Sequence, residues 1–304
     1  MRKAALVALT LGLLVCPAAA EEKCQLVRIA ALDMGTDLAH VTVPAAIGDQ
    51  PLTMIVDTGG VFTSLSESKA ATLGLHPQMI DPGSTWLSIY GGIRISHYAS
   101  VSDFTLGRMR ARKLDYPLLP FGFFPPGVDG LLAQDFLANF DLDFDFANAK
   151  LNLFSKDHCK GRVIYWTHDP VATIPFTTDE VRNIYVHVQL DGHDVKAQLD
   201  TGSPRSAMSL ETAEYRYNLD DASPLLTHVP GPNGTKNARH YPFKQLLFDG
   251  VTVANPDITL VPDREAKMGP YGPDLIIGMS ILRQLHLYVA YGEKNLYVTA
   301  ASTH

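Results

Sequence analysis

Alternating apolar and polar positions dominate the chain and predict short β-strands. The clearest runs are Leu52 to Val56 and Val195 to Leu199, where every second residue is apolar. The same alternation predicts strands at 27–31, 40–46, 101–106, 141–146, 150–154, 185–190 and 285–291. Helical patterns are few and short, at 67–73 after Ser66 and from Ser209 to about Asn218, with each serine in a capping position. The pattern therefore predicts an all-β protein with short helices.

The two clearest runs both end in the same three residues. Asp57-Thr58-Gly59 follows the first run, and Asp200-Thr201-Gly202 follows the second. In each half a helix, an apolar turn and a closing hairpin come next, with the turns at Leu131-Leu132-Ala133 and Ile276-Ile277-Gly278. Because the same elements recur in the same order, we interpret the chain as an internal duplication.

The first twenty residues have the layout of a secretory signal peptide. A basic start precedes the apolar run 4–15, and small residues stand ahead of Glu21, which predicts cleavage near Ala20. The apolar run is too short for a stable membrane span. We expect an exported protein, periplasmic or secreted, whose lobes occupy residues 21–158 and 159–304.

Composition narrows the classes of partner and cofactor. The formal net charge is -7 and no lysine or arginine cluster is present, which argues against a nucleic-acid partner. Cleavage would leave Cys24 and Cys159, and an even count in an exported protein predicts a disulfide; two unpaired thiols are the alternative. The histidines are scattered without metal-ligand spacing, so we expect neither a metal nor another cofactor.

Two aspartates brought together by a duplication can carry out hydrolysis. Carboxylates held about 3 Å apart cannot both ionise easily, so they share one proton. The ionised group can take a proton from a water molecule, and the protonated group can donate to the carbonyl that the water attacks. We therefore predict that Asp57 and Asp200 are the catalytic pair, titrating as one unit.

The other motif residues fit the same interpretation. Gly59 and Gly202 allow a tight turn and a close approach of the backbone. Thr58 and Thr201 are expected to form hydroxyl hydrogen bonds across the junction between the halves and so to fix the plane of the carboxylates.

The double motif with its two apolar turns resembles the aspartic proteases, the pepsin-like and retropepsin-like group. The helix ending at Leu73-Gly74-Leu75 is more similar to the bacterial, retropepsin-like branch. The resemblance covers most of the mature chain. It implies a bilobal acid-protease fold of two retropepsin-like lobes, with the active cleft between them and a peptide or protein as substrate.

Two residues depart from the pattern of that family. Gly60 stands where Ser203 stands in the second copy, and the family often uses that hydroxyl to hold the nearby carboxylate. We therefore expect Asp57 to be held less tightly than Asp200. Ala133 replaces the glycine that the second copy keeps at Gly278, which is expected to move the first turn slightly.

A hairpin in the first half is a candidate flap over the cleft. Two alternating runs flank the pair Gly91-Gly92, which is typical of a β-hairpin. Tyr90 stands near its tip, where a pepsin-like flap tyrosine would close over bound substrate. An ordinary packing aromatic is the alternative. Only the first half has such an aromatic hairpin, so a single flap is expected.

Taken together, the sequence predicts an exported, monomeric aspartic endopeptidase. Two alternatives stay open at this point. The chain could be a catalytically inactive binding protein that keeps the cleft for a peptide or protein, as Gly60 and Ala133 suggest. Each half could instead pair with another chain, as in single-lobe viral enzymes.

Overall fold

A computed structural model describes residues 25–35, 39–81, 87–89, 93–219, 223–231, 235–263 and 272–302. In the first half the strands are β1 (Arg28–Asp33), β2 (Thr42–Ile47), β3 (Gln50–Val56), β4 (Ser64–Ser66), β5 (Gln78–Met79), β6 (Leu87–Ile89), β7 (Ile93–Ile95), β8 (His97–Leu106), β9 (Met109–Leu119), β10 (Gly130–Leu132), β11 (Asp141–Asp145) and β12 (Lys150–Phe154). The helices of this half are α1 (Glu67–Thr72) and α2 (Gln134–Leu137).

In the second half the strands are β13 (Ala172–Thr178), β14 (Ile184–Leu190), β15 (His193–Leu199), β16 (Ser206–Ser209), β17 (Thr227–His228), β18 (Arg239–His240), β19 (Gln245–Phe248), β20 (Val251–Ala254), β21 (Ile258–Val261), β22 (Leu275–Ile277), β23 (Leu285–Ala290) and β24 (Asn295–Ala300). Its helices are α3 (Leu210–Tyr217) and α4 (Met279–Leu282).

Each half builds a sheet with the same local topology. In the first half β3 runs parallel to β10, β10 is antiparallel to β4, and β4 is parallel to β9. In the second half β15, β22, β16 and β21 repeat these three relations in the same order. An additional pairing of β2 with β8 closes the first sheet into a barrel. The predicted all-β, duplicated, two-lobed fold is confirmed.

Six neighbouring strands of a larger sheet join the halves, in the order β1-β12-β11-β23-β24-β13. Its central contact is the antiparallel pair β11 and β23, which places Phe144 opposite Leu287. Both side chains are buried, so the junction is part of a continuous apolar core. The boundary between residues 158 and 159 stays a prediction.

The apolar positions of the two motif-carrying strands point into that core. Their exposed fractions are between 0% and 3% for Leu52, Met54, Val56, Val195, Ala197 and Leu199. Burying apolar surface contributes about 25 cal/mol for each Å² removed from water. The strands that deliver the two aspartates are therefore anchored along their whole inner face.

Serine side chains begin the two predicted helices. Ser66 Oγ accepts a hydrogen bond from the backbone N–H of Lys69 at 3.0 Å, and Ser209 Oγ accepts one from that of Thr212 at 2.9 Å. Such caps contribute about 1 kcal/mol each. The second helix ends at Asn218, which adopts the left-handed conformation with φ 52.

The predicted hairpin of the first half is formed by β6 and β7, where Leu87 lies opposite Ile95. These strands make a two-stranded sheet of their own. The second half also contains a hairpin, β17 with β18, but β21 joins it to the main sheet. Tyr90, Gly91 and Gly92 lie outside the described residues, so the role of Tyr90 stays a prediction.

Alternation in β11 predicts a strand with one polar face, yet the aspartates at 141 and 143 on that face are fully buried. Asp141 accepts hydrogen bonds from His158 Nε2 at 2.5 Å and from the backbone N–H of Tyr291 at 2.8 Å. Asp143 pairs with His286 Nε2 at 2.6 Å. Burial raises the pKa of Asp141 above its ordinary value, although the pairing with His158 opposes that rise. These residues form a polar seam between the lobes.

No helix in the part of the chain that the structure describes is long and apolar enough to cross a bilayer. Cys159 follows β12, whereas Cys24 lies outside the described residues. The disulfide between them therefore stays a prediction.

Candidate active site

The two Asp-Thr-Gly segments meet at the junction of the lobes. Asp57 follows β3 and Asp200 follows β15, each at the end of a parallel strand pair. The backbone N–H of Asp57 donates to Leu132 O at 2.9 Å, and that of Asp200 donates to Ile277 O at 3.0 Å. The two apolar turns thus hold the two loops in equivalent ways.

Reciprocal threonine hydrogen bonds lock the loops together. Thr58 Oγ1 donates to Leu199 O at 2.9 Å, and Thr201 Oγ1 donates to Val56 O at 2.6 Å. Each hydroxyl also accepts the backbone N–H of the other threonine, at 3.1 Å for Thr58 N and 3.0 Å for Thr201 N. Both side chains are buried, so these four bonds fix the two loops relative to one another.

The glycines of the motifs leave room for the opposite carboxylate. A Cβ built on Gly59 would lie 2.5 Å from Asp200 Cγ, and one built on Gly202 would lie 2.4 Å from Asp57 Cγ. Real Cβ atoms do not approach other atoms so closely. Close approach, rather than an unusual backbone angle, is therefore what requires glycine at both positions.

Backbone N–H groups hold both carboxylates. Asp57 Oδ1 accepts from Gly59 N at 2.9 Å, while Asp200 Oδ1 accepts from Gly202 N at 2.9 Å and from Ser203 N at 3.1 Å. The Ser203 hydroxyl donates instead to Arg205 O at 2.8 Å. The hydroxyl that Gly60 lacks therefore does not hold Asp200 in the second copy. Asp200 Oδ1 does accept one backbone N–H more than Asp57 Oδ1, and the looser hold on Asp57 stays a prediction.

The environment of the pair opposes ionisation. Burial, followed by the negative charge of Asp57, raises the pKa of Asp200 to about 8. Burial also raises the pKa of Asp57, against the N–H groups of Gly59 and Gly60 and a hydrogen bond from Asp200, which lower it. Both aspartates are nevertheless partly exposed. A water molecule or substrate can therefore reach a pair that retains a proton.

His40 is a neighbour of the pair that sequence reasoning missed. Its positive charge would lower the pKa of Asp57. Its Nδ1 is buried and has no hydrogen-bond partner among the described residues. The backbone bond from Val56 N to Val41 O, at 2.8 Å, brings it beside the end of β3. No sequence motif marks it, because only the pairing of the segment that leads into β2 with the end of β3 brings its charge near Asp57.

Hydroxyl groups that support the two turns were also missed. The backbone N–H of Ala133 donates to Thr63 Oγ1 at 3.1 Å, and that of Gly278 donates to Ser206 Oγ at 3.0 Å. A signal for them exists in the sequence. Each hydroxyl residue stands six positions after its motif aspartate, so aligning the two halves more fully would have found the pair.

Gln134 was missed as well, and it connects the first loop to the second half. It is fully buried, and its Nε2 donates to Thr58 O at 2.7 Å. Its Oε1 accepts a hydrogen bond from the hydroxyl of Tyr291 at 2.8 Å. Gln134 thus links the carbonyl of Thr58 to the side chain of Tyr291, which follows β23 in the second half.

The comparison with protein families settles the classification of the chain. A family model described as "Aspartyl protease" matches residues 43–136 and 186–281, which together make up more than half of the sequence. The chain belongs to the aspartyl protease family. Each matched segment contains one Asp-Thr-Gly motif and its apolar turn, so this family membership rests on both halves of the duplication.

Solved structures share the fold at low sequence identity. The aspartic proteinase from Irpex lacteus is 14% identical with a TM-score of 0.55, over 90% of this chain and 97% of that one. Basic 7S globulin from soybean is 12% identical with a TM-score of 0.52, over 92% and 96%. No curated protein matches. Because a proteinase and a globulin share this fold, the fold alone does not establish catalysis.

Proposed function

We propose that this aspartyl protease family member is an active endopeptidase that hydrolyses peptide bonds with water bound between Asp57 and Asp200. The observation that carries the proposal is the pair itself. Two carboxylates from separate halves face each other across glycines that leave no space for a side chain. The environment raises the pKa of both, and reciprocal threonine bonds fix their loops.

The proposed reaction is general acid–base hydrolysis. The two carboxyl groups share one proton and act as a unit, because burial raises the pKa of both. The ionised member of the pair takes a proton from water as the water oxygen bonds to the peptide carbon, and the protonated member protonates the carbonyl oxygen. The tetrahedral intermediate then breaks its C–N bond. The amine leaves with the proton that was taken from water, and the other carboxylate takes back a proton from a hydroxyl of the intermediate, which restores the starting pair.

The proposed substrate is an extended segment of a peptide or protein. In the cleft it would form strand-like backbone hydrogen bonds, with pockets for alternate side chains. The hairpin of β6 and β7 forms a sheet of its own, which suits a flap that closes over the substrate. In this proposal Tyr90, between the two strands, excludes water from the reacting bond.

Export and a disulfide are further parts of the proposal. A signal peptide over residues 1–20 would direct the chain to an oxidising compartment. Arg28 in β1 lies opposite Phe154 in β12, and Ser155 N donates to Val27 O at 2.9 Å. The segments that lead to Cys24 and Cys159 therefore leave the same end of an antiparallel pair. This arrangement supports a bridge between the mature N-terminus and the start of the second lobe.

We also propose that the active species is a monomer with lobes at 21–158 and 159–304. Both motifs lie on one chain, and the threonine bonds between them form within that chain. The site is thus complete without a second copy. Sedimentation of the species that cleaves peptide is expected to give the mass of a single chain.

Peptide turnover tests the proposed function. The mature protein is incubated with a peptide library at a series of pH values, and products are identified by mass spectrometry. We expect cleavage inside peptides, with repeated turnover, and none by an Asp200→Asn variant. Saturable binding of peptides without products at any pH would instead identify a binding protein and overturn the proposal.

A further inference from the structure

Gly60 and Ala133, the two positions at which the first half departs from the second, lie in contact across the first catalytic loop. A Cβ built on Gly60 would lie 3.2 Å from the Cβ of Ala133 and 2.8 Å from Asp57 Oδ2. The φ of Gly60 is not in the left-handed region. Space, rather than backbone conformation, therefore requires glycine at this position.

The matching positions of the second half carry the opposite arrangement. Ser203 has a Cβ where Gly60 has none, and Gly278 lacks the Cβ that Ala133 has. A Cβ built on Gly278 would lie 2.3 Å from Arg205 O and 2.7 Å from Ser203 O. Ala133 and Gly278 have nearly the same backbone angles, φ -116 and -99 with ψ -172 and -171. Each half thus contains one Cβ at this contact, on the turn in the first and on the loop in the second.

The backbone bonds between loop and turn agree with this arrangement. Gln134 N donates to Gly60 O at 3.1 Å, whereas the matching bond from Met279 N to Ser203 O is 2.8 Å. The next bond, Asp135 N to Val61 O, is 3.3 Å in the first half, against 3.1 Å for its counterpart in the second. The first loop therefore lies slightly farther from its turn, which gives the methyl group of Ala133 the space that Gly278 does not have.

We propose that Gly60 and Ala133 are a compensating pair that positions Asp57. The methyl group of Ala133 displaces the loop, and the missing side chain at residue 60 keeps the loop clear of both that methyl and the carboxylate. Gly60 and Ala133 are then two parts of one change. Compared with the second half, the first half lacks the Cβ on the loop and has a Cβ on the turn instead. Because this inference assigns a positioning role for catalysis, it rests on the proposed function.

A double-mutant cycle tests the pair. Gly60→Ala places a methyl against Asp57 Oδ2 and against Ala133, so we expect roughly a tenfold loss in kcat, a displaced pH profile and a lower melting temperature. Ala133→Gly alone is expected to have a smaller effect. In the double variant the loop can move into the vacated space, and we expect kcat to recover by roughly threefold or more, with the pH profile returning toward that of the wild type.

The second half supplies the matched control. Gly278→Ala would place its methyl against backbone oxygens of the second loop. Adding Ser203→Gly recreates the arrangement of the first half and lets the loop move away, so we expect it to recover part of the loss in kcat and melting temperature. Adding Ser203→Ala keeps the Cβ on the loop and should recover nothing. Equal recovery with glycine and with alanine at residue 203 would overturn the proposed pair.

Stability separates failure of this inference from failure of the proposed function. The same cycle is measured by melting temperature, which needs no substrate. If the wild type cleaves peptide but the effects of Gly60→Ala and Ala133→Gly simply add, the pair is overturned and the protease stands. If the wild type cleaves nothing, the positioning role falls with the proposed function. Coupled melting temperatures would then support the packing contact alone.

Discussion

The two lobes hold their Asp-Thr-Gly loops with equivalent residues at equivalent places. Asp129 and Asp274 each accept the backbone N–H of a residue in the motif-carrying strand, at 2.9 Å in both lobes. Each also pairs with a basic residue of the helix that follows the motif, Lys69 at 3.3 Å and Arg216 at 2.9 Å. Because both lobes keep an aspartate that joins the motif-carrying strand to the following helix, we infer that this link is needed to position each loop.

The lobes differ in the side chains that support the turns. Thr63 Oγ1 donates to the carboxylate of Asp135 at 2.7 Å, whereas the matching contact joins the hydroxyls of Ser206 and Ser280 at 3.0 Å. Gln134 has the apolar Met279 as its counterpart. The duplication therefore preserves where hydrogen bonds are made more strictly than which residues make them.

Removing the hydroxyl of Thr58 or of Thr201, which link the two loops by hydrogen bonds, should have the largest effect on stability. The two changes should have similar effects. Thr58→Val removes the hydrogen bonds that its hydroxyl makes to Leu199 O and Thr201 N, and Thr201→Val removes those to Val56 O and Thr58 N. We expect each change to lower the free energy of unfolding by about 2–4 kcal/mol, since a buried unpaired group costs about 1–3 kcal/mol. Denaturant titration measures the loss.

Serine at the same positions provides the control. Thr58→Ser and Thr201→Ser keep the hydroxyl and remove only a methyl group, so they should be more stable than the valine variants and close to the wild type. If one valine variant is as stable as the wild type, the hydrogen bonds of that threonine do not stabilise the protein, and the expectation of equal contributions is contradicted.

The carboxylate pair should make the protein less stable as pH rises. The pKa of Asp200 is raised from 3.8 to about 8 on folding. Its contribution is therefore fully present below pH 3.8 and is lost as pH rises toward 8. The free energy of unfolding should fall over this window, and the fall should be smaller in Asp200→Asn. The exposed Asp49 supplies a control, Asp49→Asn, which should follow the wild type. An unchanged slope in Asp200→Asn would contradict the raised pKa.

Gln134 offers a way to make the first lobe resemble the second. Gln134→Met introduces the residue that the second lobe has at Met279, and it removes the partners of Thr58 O and of the Tyr291 hydroxyl. We expect a loss of about 1–3 kcal/mol in the free energy of unfolding. Adding Tyr291→Phe should cost less than it does in the wild type, because its hydroxyl has already lost its partner. Strictly additive losses would show that the two side chains are not coupled.

Ser203→Ala should have the smallest effect. Its hydroxyl donates to Arg205 O at an exposed position, and the N–H that holds Asp200 stays in place. We expect a change of about 0.5 kcal/mol or less in the free energy of unfolding and less than about a threefold change in kcat/KM. A loss of tenfold or more would show that the hydroxyl acts on the carboxylate after all.

Sequence reasoning could reach the fold because the duplication is visible in local patterns. The motifs and their apolar turns are consecutive residues, and alternation identified the strands that carry them. It also identified Ser66 and Ser209 as helix caps, since a cap depends on residues within one turn of the chain.

What sequence reasoning missed depends on residues far apart in the chain. His40 lies near enough to affect the pKa of Asp57 only because β2 pairs with β3. Asp143 is buried in β11 because His286, from the other half, pairs with it. The contact between Gly60 and Ala133 was missed for a related reason, because Ala133 comes from a different element of the fold.

Matched substitutions at the two aspartates test the central claim most directly. Asp57→Asn and Asp200→Asn keep the size of each side chain and remove its ability to carry the reaction's proton. We measure kcat for one cleaved peptide in both variants, with Asp49→Asn as the exposed control. The account predicts losses of about 10³-fold or more in both variants and wild-type turnover in the control. Full activity in either Asp57→Asn or Asp200→Asn would contradict a shared catalytic pair.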